Sequence, residues 1–219
     1  MPAEKITHER IIRAVLETAF VNSAGATSLS DIAGILGIKK ASLYNHYASR
    51  DAMMEDTLRY CGDYCKRISF IPQDMDSTSA KYTAEAVLKG MLHRWLKMYE
   101  KEPLVLIYSF IESEKYFTGE AAGISTENHQ KLVEQTCVAL KSLAQAKKIK
   151  TTDEDAILVK AKIFASLVTD ILDGWMVQKK EQIRSNPQTG EGELFEDENT
   201  SESDYTVHDF AVEEFVKLL

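Results

Sequence analysis

Residues Thr27 to Arg50 read TSLSDIAGILGIKKASLYNHYASR, and their spacing predicts two short helices joined by a tight turn. Ser28 and Asp31 stand three apart, an outline of the capping box in which a hydroxyl and a carboxylate satisfy the free N–H groups of a helix start. Ile32, Ala33, Ile35 and Leu36 give that helix an apolar face. Gly37 sits where the chain has to turn through positive φ, which glycine does at least cost. Leu43 and Tyr47 are one helical turn apart and are expected to face inward together.

In a helix-turn-helix the first helix carries a small residue where the second crosses it. A glycine sits in the turn and a large apolar residue on the second helix. Ala33, Gly37 and Leu43 fill those places. Lys39, Lys40, Ser42, Asn45 and His46 are then left facing outward. Lysine reaches phosphate or guanine, asparagine pairs with adenine through two hydrogen bonds, and serine serves either purpose. The same residues could also be the solvated face of an all-helical protein.

The run from Leu29 to Met53 resembles the DNA-binding segment of the TetR-family transcriptional regulators. The matching pieces are Ser28, Asp31-Ile32-Ala33, Gly37-Ile38, Ala41-Ser42-Leu43-Tyr44, Asn45-His46, Tyr47 and Arg50-Asp51. Lys39 departs from the pattern, because the family commonly has a serine capping the second helix there. The start of this helix is therefore expected to be poorly capped, with Lys39 free to meet a phosphate. The resemblance covers about a quarter of the chain. It implies an all-α protein with a helix-turn-helix head over residues 1–48 and a helical regulatory and dimerisation body over 49–219.

The net charge of −8 taken alone argues against a nucleic-acid partner, but its distribution does not. Residues 1–67 hold nine Lys and Arg against eight Asp and Glu, a balance of +1 that leaves −9 for the rest. The acidic excess lies away from the expected reading helix, as a local DNA surface requires. No run of 18 apolar residues appears, and the N-terminal MPAEKITHER has no apolar core, so neither a membrane span nor a secretory signal is expected. A cytoplasmic protein follows as the expectation. Cys61 and Cys65 share a helix face but lack further ligands nearby, so small buried hydrophobes are a better reading than a metal site.

Apolar periodicity divides the remainder into helices. The first covers residues 6–23, with Thr7 as its cap and Ile12, Val15, Leu16, Ala19 and Phe20 inside. A helix capped by Ser49 runs to about Ile68, and Arg50 at its start is placed to meet a phosphate. Pro72 and the polar run QDMDSTS are expected to break the pattern. Further helices are expected at 80–100, after Pro103, at 126–147 and at 153–183, with a loop at 119–123. The stretch 186–204 holds seven acids and no base, and reads as a linker. A last helix is expected over 205–218. No strand pattern and no internal repeat appears.

No catalytic constellation is present: no G-x-S-x-G, no glycine-rich phosphate loop and no H-E-x-x-H. No cofactor or metal is expected. Two tasks remain for the body. The stripes on 157–175 and 207–218 are wide enough to pack against a second copy, through Phe164, Val168, Ile171, Trp175, Phe210 and Phe215, although both could be internal core. Met91, Trp95, Met98, Tyr99, Tyr108 and Phe110 put aromatic and sulfur groups on adjacent helices, a surface that lines apolar cavities and ordinary cores alike.

The expected protein is a homodimeric transcriptional regulator, a repressor that reads a near-palindromic operator in double-stranded DNA and answers to a small-molecule effector. Ser28, Lys39, Lys40, Ser42, Tyr44, Asn45, His46 and Arg50 are its expected DNA contacts. The helix at 49–68 is the expected lever between head and body, through Leu58, Cys61 and Cys65 against Leu88, Met91 and Trp95. The competing reading is a helical small-molecule-binding protein or enzyme in which residues 28–47 are structural only.

Overall fold

A computed structural model describes residues 6–185 and 205–219, apart from the side chains of Ile183 and Arg184. The acidic stretch 186–204 lies outside the described residues. Among those described there are ten α-helices and no strand. The chain forms two compact units. One holds the chain up to Ile68 together with Glu102–Asn128, and the other holds Ser69–Lys101 together with the chain from His129 on.

The first unit is built on α1 (His8–Asn22), α2 (Leu29–Ile35), α3 (Lys40–Leu43), α4 (Arg50–Lys66) and α7 (Leu104–Glu114). Its helix starts follow local chemistry. Thr7 accepts from the Arg10 N–H at 3.3 Å, and Ser49 from the Ala52 N–H at 3.1 Å. Ile11, Ile12, Val15, Leu16, Ala19 and Phe20 are buried on α1, as are Met53, Leu58, Cys61 and Cys65 on α4. Helix α1 packs on both α4 and α7. Every residue from Leu104 to Ile111 is buried, so α7 is enclosed all round. Arg13 links α1 to the residue before Pro103 by an ion pair with Glu102 at 2.8 Å.

The second unit contains α5 (Met75–Lys81), α6 (Ala84–Tyr99), α9 (Glu154–Ser185) and α10 (Asp209–Val216). Helix α8 (Gly119–Gln145) begins in the first unit and supplies this one from His129 on. Helix α10, preceded by a 3-10 turn at Tyr205–His208, packs against α6. Lys89 holds it there, 2.6 Å from Glu213 and 3.5 Å from Asp209, while also meeting Glu85 on its own helix at 2.7 Å. These carboxylates, the Glu213 hydrogen bond first, raise the Lys89 pKa.

Three expectations about helices change. The polar run after Pro72 is not a break throughout: Asp74 accepts from the Ser77 N–H at 3.0 Å and starts α5. That short helix ends at Lys81, so α6 starts at Ala84 under a Thr83 cap instead of at 80. The loop expected at 119–123 is helix, because the Thr118 hydroxyl accepts from the Ala121 N–H at 3.2 Å and starts α8 early. In each case one Asp or Thr three residues ahead of a free N–H outweighs a polar or glycine-rich composition.

Candidate nucleic-acid interface

The turn of the helix-turn-helix forms as its sequence requires. Ser28 accepts from the Asp31 N–H at 3.2 Å, and the Asp31 carboxylate accepts from the Ser28 N–H at 3.1 Å, which completes the capping box. The Ser28 hydrogen bonds hold the Asp31 pKa below the ordinary carboxylate range. At the other end of α2, Gly37 has φ +64°. The Ile38 N–H donates to Ala33 and the Gly37 N–H to Gly34, at 3.0 and 3.1 Å. This is the Schellman closure, which needs a left-handed residue at Gly37. Ile32, Ala33 and Leu43 are buried between the two helices, but Ile35 is 51% exposed and is no part of the core. Its neighbour Leu36 is half-buried.

Helix α3 is only four residues long, and Tyr44 to His46 continue it as a turn. Lys39 stands at its N-cap without a side-chain hydrogen bond, as the departure from the family pattern implied. Ser28, Lys39, Lys40, Tyr44 and Asn45 are exposed, while Ser42 and His46 are half-buried. These seven expected contact residues thus all keep some exposure.

Arg50, the remaining expected contact, is half-buried and makes hydrogen bonds inside the head. Its Nε donates to the Thr27 carbonyl at 3.0 Å, and a terminal nitrogen donates to the Ala24 carbonyl. The guanidinium thus satisfies two carbonyls of the α1–α2 connection. We read Arg50 as a brace of the head.

One cluster beside α3 carried no local signal. The Tyr47 hydroxyl donates to Asp56 Oδ2 on α4 at 2.6 Å, and Arg59 pairs with the other carboxylate oxygen. His8 of α1 stacks on the Tyr47 ring at 5.1 Å and meets the His46 ring edge-on at 5.9 Å. Its Nδ1 lies 3.8 Å from Asp56 Oδ2. Burial alone would push the Asp56 carboxyl up, but the hydrogen bonds from Tyr47 and Arg59 and the charge of Arg59 outweigh it and hold its pKa low. Burial, and then Asp56, push the Tyr47 phenol up. Nine residues part Tyr47 from Asp56, which is not a helical spacing, so only the tertiary fold brings the segment after α3 against α4.

The expected effector residues are divided between the units. Met91, Trp95, Met98 and Tyr99 lie in the second, and Tyr108 and Phe110 in the first. All are buried except the half-buried Met98. In the second unit the Trp95 ring stands 5.3 Å from Tyr99 and 4.0 Å from Phe70, and the Phe70 N–H donates to the Gln135 side chain of α8 at 2.7 Å. Trp95 Nε1, Ser79 Oγ and Thr136 Oγ1 are buried without a hydrogen-bond partner among the described residues. The two hydroxyls stand out, because Thr18, Thr57, Thr126 and Thr169 all donate to the carbonyl one turn back in their helices. In the first unit a shallow cleft of about 270 Å³ opens between α1, α4 and α7 beside Arg13, Tyr60, Glu102 and Leu106, and none of the expected effector residues lines it.

The expected dimer residues divide by burial. Phe164, Val168 and Phe215 are 1%, 1% and 3% exposed within the single chain. All three are buried within their own chain, and the Phe164 and Phe215 rings meet at 5.2 Å. Ile171 and Trp175 are half-buried, and Phe210 is 68% exposed. Among the described residues, no group of three or more His, Cys, Asp or Glu could hold a metal ion, and no helix is long and apolar enough to cross a membrane.

No protein-family model matches the chain. It is 26% identical over 152 residues to the biofilm operon icaADBC HTH-type negative transcriptional regulator IcaR of Staphylococcus aureus (strain Newman), a match covering 69% of this chain and 73% of that protein. A crystal structure of a TetR-family transcriptional regulator from Mesorhizobium loti superposes with a TM-score of 0.59 at 16% identity, over 96% of this chain and 95% of the other. AibR in complex with isovaleryl coenzyme A and operator DNA gives a TM-score of 0.57 at 15% identity, over 95% and 97%. FadR from Bacillus subtilis in complex with stearoyl-CoA gives 0.56 at 13% identity, over 97% and 100%.

Proposed function

We propose that this chain, which has the fold of the TetR-family transcriptional regulators, is a ligand-responsive repressor that binds operator DNA as a homodimer. The observation that carries this reading is the completed helix-turn-helix, with its capping box, its Gly37 closure and a second helix whose polar residues keep some exposure. Lys40, Ser42, Asn45 and His46 are the base readers. Lys39 and Tyr44 hold phosphates, and Ser28 at the start of α2 adds a further polar contact. Two heads related by two-fold symmetry reach two half-sites about one helical turn apart, so the operator is near-palindromic.

The second copy docks on the exposed apolar side of α9 and α10, where Phe210, Trp175 and Ile171 are not enclosed by their own chain. The effector occupies the second unit near Trp95, where a buried indole N–H awaits an acceptor and Phe70 and Tyr99 supply an aromatic wall. Binding shifts the population toward a spacing of the heads that no longer fits successive major grooves. The two acyl-CoA complexes among the structural neighbours make acyl-CoA thioesters the first effectors to try.

A gel-shift titration against the DNA upstream of the protein's own gene tests this. Saturable binding that random DNA does not displace, and that stearoyl-CoA or isovaleryl-CoA reverses, is expected. Equal affinity for random DNA of the same length would remove the regulator reading. Operator binding that no thioester reverses would remove only the effector class.

A further inference from the structure

We infer that the hydrogen bond from the Tyr47 hydroxyl to the Asp56 carboxylate is a positioning contact that sets the orientation of the reading helix on α4, and that sequence discrimination depends on it. The inference rests on the reading of α3 as the helix that meets base edges.

Helix α3 cannot hold its own direction. It has four residues and no side-chain cap at Lys39, and a single turn of helix is not stable alone. Two contacts fix it from outside: Leu43, 1% exposed, and Tyr47, 8% exposed. Leu43 is an apolar plug, which sets depth but not rotation, because dispersion has no preferred direction. Tyr47 adds a directional bond. At 2.6 Å it lies in the range of an O–H donor meeting an ionised carboxylate, about twice as strong as a neutral pair. A phenylalanine would fill the same space; only the hydroxyl points the ring at α4.

The acceptor is itself held. Arg59 occupies one Asp56 oxygen, and His8 approaches the other from α1 while stacking on Tyr47. The Tyr47 ring is therefore fixed by α1 and α4 together. His46 precedes it directly in the chain, Asn45 stands two residues back and Ser42 five. A small rotation of this turn displaces all three. Paired hydrogen bonds to a base weaken steeply with misalignment, whereas a lysine on a flexible stem follows a phosphate. Loss of the Tyr47–Asp56 bond should thus harm operator binding and spare non-specific binding.

The experiment measures affinity for operator and for random DNA, with thermal melting of each variant. Tyr47→Phe is expected to lower operator affinity by about five- to tenfold, the scale of one lost hydrogen bond, while random-DNA affinity stays within about twofold. Asp56→Ala should match it, and the double variant should be no worse than either single one. Asp56→Asn keeps an acceptor oxygen and should retain most of the discrimination; this comparison decides the matter if Tyr47→Phe melts early. Equal losses on both DNAs, unchanged operator affinity, or additive single losses would overturn the positioning role. A wild-type protein that binds operator no better than random DNA would instead remove the reading-helix premise.

Discussion

The rings of Phe164 on α9 and Phe215 on α10 face each other with centroids 5.2 Å apart, and both are buried. Phe210, five residues before Phe215, is 68% exposed on the same short helix. One apolar helix thus carries one aromatic residue that completes its own protomer and another that its protomer leaves uncovered.

That pair makes opposite predictions. Phe215→Ala removes a buried ring and should cost about 3–5 kcal/mol of protomer stability, read as a lower thermal midpoint. Phe210→Glu should leave the unfolding of the isolated protomer unchanged and shift the dimer to monomer in light scattering at micromolar concentration. A Phe210→Glu protein that remains dimeric would place the interface elsewhere.

The head offers a second contrast. Asn45→Ala should relax discrimination at one base pair by about 1–3 kcal/mol without altering melting. Arg50→Ala should behave in the other way. It removes the guanidinium donors to the Thr27 and Ala24 carbonyls, of which Ala24 keeps only the Thr27 N–H at 3.3 Å, so the head should lose about 1.5–3 kcal/mol of stability. The slope of log affinity against log salt should stay unchanged in the folded variant. A slope that flattens by about one unit would return Arg50 to the phosphate contacts.

Trp95→Phe keeps an aromatic ring against Phe70 and Tyr99 but deletes an N–H that has no partner among the described residues. Removing a donor already unsatisfied forfeits no hydrogen bond, so the cost in stability should be the smaller packing loss, about 1–2 kcal/mol. Operator affinity should persist, and release by the thioester titration should weaken. Unchanged release would show that the effector does not use this indole.

Acid should loosen α10. Burial, and then the neighbouring His93, depress the His208 pKa below its ordinary 6.5. The unfolded chain therefore binds a proton at a higher pH than the folded one does. The stability tied to this group is complete above pH 6.5 and falls as the pH drops below that value. The thermal midpoint should decline between pH 7.5 and 5.5 in the wild type, and less steeply in His208→Gln. Parallel declines would assign the acid sensitivity to other groups.

Much of the head was legible because its signals are local. A hydroxyl three residues ahead of a free N–H, a glycine at a left-handed position and an apolar stripe of helical period act within one or two turns of chain, so Ser28, Gly37 and the stripe of α1 could be read directly. Thr118 and Asp74 were equally local signals, overlooked behind glycine-rich and polar surroundings.

Other roles depend on groups that no spacing connects. Arg50 reaches carbonyls 23 and 26 residues back, Tyr47 finds its acceptor on a different helix, and Phe70 meets Gln135 across 65 residues. Periodicity likewise places Ile35 and Phe210 on apolar faces without saying whether anything covers them. The sequence by itself determined where helices begin and where they turn, since those depend on backbone groups a few residues away. Tertiary structure decided which cation braces and which remains free, and which aromatic closes the protomer, because burial and hydrogen-bond partnership belong to whatever the completed fold brings alongside.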